Sequence, residues 1–122
     1  KRYPEMKFVA CHLLAPSDKD KDKLRQALEV LQFPNLWFDL SSLVHNCRPD
    51  TYPYLKAIEF IRLAKEIVGS EKLMFGTDMP SALKEDVYEH YVGYIDESPV
   101  FTEQEKEQIF YENAYEVYFA NK

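Results

Sequence analysis

Three short apolar runs, alternating with stretches of helical period, leave this chain few folds. Lys7-Phe8-Val9-Ala10-Cys11-His12, then residues 35–40 (with Leu36-Trp37-Phe38-Asp39-Leu40), then residues 72–76 are the expected strands. Each is too short for a helix and apolar enough for burial on both faces. Between the first two, residues 18–32 carry Leu24, Ala27, Leu28 and Leu31 at three-to-four residue spacing, with Lys23, Arg25, Gln26 and Glu29 opposite. Pro34 closes that helix. Residues 54–68 place Leu55, Ile58, Ile61, Ala64 and Val68 on one stripe, and Gly69 suits the left-handed residue that ends a helix.

Further helices are expected near 84–95, 103–111 and 114–119. Thr102-Glu103-Gln104-Glu105 has capping-box spacing, and Asn113 reads as the cap of the last helix. Strands alternating with helices require crossovers that return each strand parallel to the last. Three strands are few for either an open sheet or a closed barrel, so residues 1–122 are expected to form a single partial domain. The first residues, Lys1-Arg2-Tyr3-Pro4, lack a methionine, which fits a start inside a longer product.

Nearly half the residues are apolar and the net charge is −6, so disorder and phosphate-tracking nucleic-acid binding are both poor readings. The lysines of 19–23 alternate with aspartates, which is a solvated helix start rather than a basic stripe. No apolar run is long enough to cross a bilayer, and no signal peptide is visible. Cys11 and Cys47 have no metal-type pairing; Cys11, inside an apolar run, reads as a buried free thiol, and a cytoplasmic, reducing compartment fits.

Parallel α/β folds bring their chemistry to the C-terminal ends of the strands. Here those ends carry His12, then Asp39 with Ser41, then Thr77 with Asp78. Asp78 follows an apolar strand directly and precedes Pro80. A carboxylate there is either a metal ligand and proton acceptor or the anchor of an Asx-type turn or cap. His12 is either an acid–base or ligand group or a satisfied polar residue, and Asp39 either orients it or closes the loop. His45 and Cys47 lack the second pair that a structural zinc needs. His90, among Glu85, Asp86 and Glu89, reads as solvated. Tyr111, Tyr115 and Tyr118 read as packing residues of the last helices. No glycine-rich phosphate loop, G-x-S-x-G or H-E-x-x-H is present.

Three ordered segments carry a family resemblance. Arg2-Tyr3-Pro4-Glu5-Met6-Lys7-Phe8-Val9-Ala10-Cys11-His12 resembles the approach to strand six of the amidohydrolase-2 family, and Pro34-Asn35-Leu36-Trp37-Phe38-Asp39-Leu40-Ser41 its strand seven. Val68-Gly69-Ser70-Glu71-Lys72-Leu73-Met74-Phe75-Gly76-Thr77-Asp78-Met79-Pro80 is similar to its strand-eight signature, and Asn113-Ala114 with Phe119 to its closing helix. Aminocarboxymuconate-semialdehyde decarboxylase is one member. The resemblance implies the C-terminal part of a TIM (β/α)₈ barrel, with three parallel strands and flanking helices. It implies a divalent ion, zinc or manganese, at the barrel mouth. Asp78 takes the role of metal ligand and handles the proton of the ion's water, and His12 that of acid–base or substrate contact. Leu13-Leu14-Ala15-Pro16 stand where the family usually places glycine-rich residues.

The strands that carry the family's remaining metal-ligating histidines are absent from this sequence. One ligand cannot hold a catalytic ion, so the chain alone is expected to bind no metal and to be inactive. Its parent is expected to be a hydrolase or decarboxylase acting on a small molecule. Self-association or a missing N-terminal barrel half would cover the exposed edges. Two alternatives use the same residues differently: a non-enzymatic α/β interaction module, and a metal-independent lactonase-like relative.

Overall fold

The computed structural model describes residues 2–17 and 21–120. Three parallel strands form one sheet in the order β1 (Phe8–Ala10), β2 (Leu36–Asp39), β3 (Leu73–Met74). The register pairs Phe8 with Leu36 and Ala10 with Phe38, then Phe38 with Leu73 and Asp39 with Met74. The strands are shorter than the apolar runs that encode them, because each run ends in a turn that aims its last side chain. β1 is also an edge: Phe8 is exposed and Val9 and Ala10 are only half-buried, not buried on both faces.

Helix α1 (Lys21–Val30) connects β1 to β2; the start expected at residues 18–20 lies outside the described residues. A short helix, α2 (Leu43–Asn46), which the sequence pattern did not signal, follows β2 and precedes α3 (Leu55–Val68). Leu24 and Leu28 of α1 meet Ile61 and Ala64 of α3 in one core with Phe38 and Leu73 of the sheet. Alternation along a strand explains the partition: Ala10, Leu36, Phe38 and Leu73 share the helix-covered face. Val9, Trp37, Asp39 and Met74 share the other. Leu55 departs from the expected stripe, being exposed in the first turn of α3. Gly69 ends that helix at φ 82, a region costly for any other residue.

After β3 come a 3₁₀ turn (Ser81–Lys84) and α4 (Tyr88–Asp96), where one helix over 84–95 was expected. Then α5 (Glu103–Glu107) opens with the capping box: Thr102 accepts from the Glu105 N–H at 3.2 Å, and Glu105 accepts from the Thr102 N–H at 2.8 Å. A π-helical stretch (Gln108–Glu112) leads into α6 (Asn113–Tyr118). Asn113 does not cap α6. It is buried inside the continuous helix, and its amide donates to the Ser70 and Leu73 carbonyls at 2.8 and 2.7 Å. With the Phe75 N–H donating to the Ile109 carbonyl, this satisfies the outer edge of β3.

The sequential strand order, with α1 and α3 packed together on one face, is the arrangement of a barrel wall. A doubly wound sheet reverses order and carries helices on both faces. Among the described residues no helix is long and apolar enough to cross a membrane.

Candidate active site

All three strands point their C-terminal ends the same way, and each hands over to a residue in the left-handed region. His12 has φ 58, Ser42 has φ 57 and Asp78 has φ 65. Such conformations cost about 1 kcal/mol or more outside glycine, and they collect where surrounding structure aims a side chain. After β1 the strain runs on through Leu13, Leu14 and Ala15, at φ 47, 62 and 50. A glycine-rich segment would adopt that turn freely, which gives a physical reason for glycines there in the resembled family.

His12 and Asp39 meet through Ser41. The Asp39 Oδ1 accepts from the His12 N–H at 2.9 Å, from the Ser41 N–H at 3.1 Å and from the Ser41 hydroxyl. The Ser41 Oγ lies 2.7 Å from the His12 Nδ1. Ser41 is buried, His12 and Asp39 half-buried. The adjacent serine reaches the other way: Ser42 donates from its hydroxyl to the Asp78 Oδ2 at 2.6 Å. Two consecutive residues after β2 thus tie the end of β1 to the end of β3. No hydrogen bond joins His12 to Asp78 directly among the described residues.

The Asp78 backbone carbonyl accepts from the Ala82 N–H at 3.1 Å as the 3₁₀ turn begins, a bond any residue could make and not the side-chain bond of an Asx-type anchor. The Asp78 carboxylate stays exposed and lines a cavity of about 120 Å³ with Ser42, His45, Ser81, Glu85 and Tyr91. Sequence reasoning did not single out Ser42, Arg48 or Glu85. The Glu85 carboxylate lies 2.9 Å from the His45 Nδ1 and 3.1 Å from the Arg48 Nη1. Ser42, His45 and Arg48 belong to the segment after β2, and Glu85 ends the 3₁₀ turn after β3, 40 residues beyond His45, so only the fold brings them together.

Two expectations about these side chains are corrected. Cys11 is exposed, because β1 stops at Ala10 and Cys11 begins a turn beside Asp39; the charge of Asp39 raises its pKa. His90 is not free in solvent: it lies 2.8 Å from the Asp86 carboxylate and stacks on Tyr52 at 4.2 Å. Tyr111 and Tyr115 pack along the last helices, Tyr111 stacking on Tyr115 and Tyr115 lying against Phe119, while all three tyrosines, Tyr118 included, remain exposed. Among the described residues no three His, Cys, Asp or Glu side chains gather as a metal site.

The amidohydrolase family model matches residues 1–120. The chain belongs to the amidohydrolase family. Its fold is similar to an amidohydrolase of Burkholderia multivorans solved with bound zinc, at 25% identity and a TM-score of 0.81, over 96% of this chain and 45% of that one. Another structure of a Burkholderia multivorans amidohydrolase, with bound HEPES, gives 24% identity and a TM-score of 0.83, over 96% and 46%. A Pseudomonas putida protein provisionally named 2-pyrone-4,6-dicarboxylic acid hydrolase shares the fold at 16% identity and a TM-score of 0.72, over 93% and 43%. No curated protein sequence matches the chain. This amidohydrolase chain spans less than half the length of the structures it resembles, and its three strands form part of a (β/α)₈ barrel.

Proposed function

We propose that this chain supplies the last three β/α units of a complete amidohydrolase barrel that hydrolyses a small molecule. The observation that carries the reading is the convergence of His12, Asp39, Ser41, Ser42 and Asp78 at one end of three parallel strands, in a chain whose family match spans residues 1–120.

Asp78 is assigned as one ligand of a divalent ion, zinc or manganese. The described residues do not fit such an ion by themselves: one carboxylate falls short of the three protein ligands a catalytic zinc keeps. The further ligands belong to the rest of the barrel, so the 122-residue chain alone is inactive in this reading. With Oδ2 holding the Ser42 hydrogen, Asp78 keeps Oδ1 to accept a proton. His12 serves as the acid–base group that faces substrate.

The partner is the N-terminal barrel half, or a second copy standing in for it. One feature supports this: Phe8, Tyr3 and Phe33 border an apolar cavity of about 490 Å³ beside the edge strand. Cys11 and Cys47 form no disulfide, which suits a cytoplasmic setting. Decarboxylation in the same cleft is the second reading, since the family whose strand-eight signature residues 68–80 resemble includes decarboxylases as well as hydrolases.

The test is turnover of a panel of lactones, amides and carboxylates by the protein translated from the full reading frame. Asp78→Ala and His12→Gln are expected to lower kcat by about 10²-fold or more while leaving the fold intact. Turnover within twofold of the unmodified protein for Asp78→Ala would overturn the assignment.

A further inference from the structure

We infer that Asp39 and Ser41 form a relay that fixes the tautomer of His12, placing the hydrogen on Nδ1 and leaving Nε2 as the bare nitrogen. A serine hydroxyl has one hydrogen, and a carboxylate can only accept. The Ser41 hydrogen is committed to the Asp39 Oδ1, so the Ser41 Oγ offers the His12 Nδ1, 2.7 Å away, a lone pair and nothing else. A nitrogen at that distance must then carry the hydrogen.

Three further contacts hold the relay in place. The Asp39 Oδ1 is pinned by the His12 and Ser41 N–H groups at 2.9 and 3.1 Å, so it cannot swing away from Ser41. The backbone of His12, at φ 58, is thereby anchored by the same oxygen that orients its ring. Gly76, at the end of the third apolar run, packs so closely that a Cβ there would lie 3.0 Å from the Ser41 Cβ. Glycine at 76 leaves Ser41 in the one position from which it reaches both partners.

The consequence is chemical. An unconstrained neutral imidazole favours the hydrogen on Nε2. Fixed as the Nδ1–H form, His12 presents Nε2 with a free lone pair, ready to take a proton or to accept a hydrogen bond from substrate. Asp39 and Ser41 are therefore positioning residues. This assignment rests on the proposed acid–base role of His12 only for its purpose; the tautomer itself is a property of the 122-residue chain.

The experiment is ¹⁵N NMR of the histidine-labelled chain at a pH where its imidazoles are neutral, with the His12 signals identified by their loss in His12→Gln. Nδ1 is expected to resonate as a protonated nitrogen and Nε2 as a bare one, with about a tenfold excess of that tautomer, the scale of one well-made hydrogen bond. Ser41→Ala should return His12 to the Nε2–H form, and Ser41→Thr, which keeps the hydroxyl, should restore the Nδ1–H form. Amide spectra of both variants establish that they remain folded. A native His12 in the Nε2–H form, or a tautomer unchanged in folded Ser41→Ala, would overturn the relay. If the relay holds but His12→Gln leaves turnover of the complete protein unchanged, the acid–base role fails and the relay stands.

Discussion

At the scale of the residue, the C-terminal strand ends concentrate both chemistry and strain. Ala15 sits exposed at φ 50 and ψ 58, where a Cβ crowds the following carbonyl. The left-handed penalty is about 1–2 kcal/mol, and glycine's extra unfolded-state freedom offsets about 0.4–1 of it. Ala15→Gly is therefore expected to raise stability by about 0.5 kcal/mol, read from the midpoint of denaturant unfolding. A loss of stability would mean that the turn is not held left-handed. His12 and Asp78 were legible as polar groups at strand ends because an apolar run followed by one polar residue is a local pattern. Ser42 was not, since its importance comes from reaching across to the next strand end, a contact 36 residues away. Cys11 was misread for the related reason that composition locates a strand better than its last residue.

At the scale of the element, two devices tie the last helices to the rest of the fold. Asn113 satisfies two carbonyls at the outer edge of β3, and it is buried. Asn113→Ala removes both bonds, but the Ser70 carbonyl still accepts from the Leu73 N–H, so only the Leu73 carbonyl loses this buried donor outright and a loss of about 2 kcal/mol is expected by chemical denaturation, within the cost of one unsatisfied buried group. The period of 3.6 showed the helices on either side of residue 113 but not their fusion through a π-helical stretch, which inserts one residue and turns Asn113 inward.

The second device joins α3 to α5. The Lys65 ammonium donates to Glu105 at 2.7 Å and to the Val100 carbonyl at 2.9 Å. That ammonium, followed by the Thr102 N–H, holds the Glu105 carboxyl below the usual carboxylate range. Its folded pKa lies below the unfolded value of about 4.3. The stabilisation is thus complete above that value and fades as pH falls through the folded pKa. Glu105→Gln should reduce stability at neutral pH and should make the acid limb of the stability profile shallower. An unchanged acid limb would show that Glu105 is not depressed. The capping box itself was readable from four residues because all of its partners are local.

At the scale of the whole molecule, the sheet has two different faces. One is sealed by α1 and α3. Toward the other, the end of α6 approaches: Lys7 donates to the Glu116 carbonyl at 2.5 Å, and partial desolvation of the exposed Tyr118, then Asp39 and Cys11, raise its pKa. Lys72 lies 4.0 Å over the Trp37 ring on that face, and burial lowers its pKa. The alternation of strands and helices made the parallel sheet legible in the sequence. The two faces were not legible there, because strands buried on both sides carry no alternation to tell one from the other.

In the proposed function, Asp78 holds a metal ion together with ligands from outside these 122 residues. Zinc content per chain, measured on the protein from the full reading frame, on its Asp78→Ala variant and on the 122-residue chain, tests it most directly. A tightly held ion is expected in the first, its loss in the second, and no stoichiometric ion in the third. An Asp78→Ala protein that keeps its ion, or a 122-residue chain that binds one tightly by itself, would contradict it.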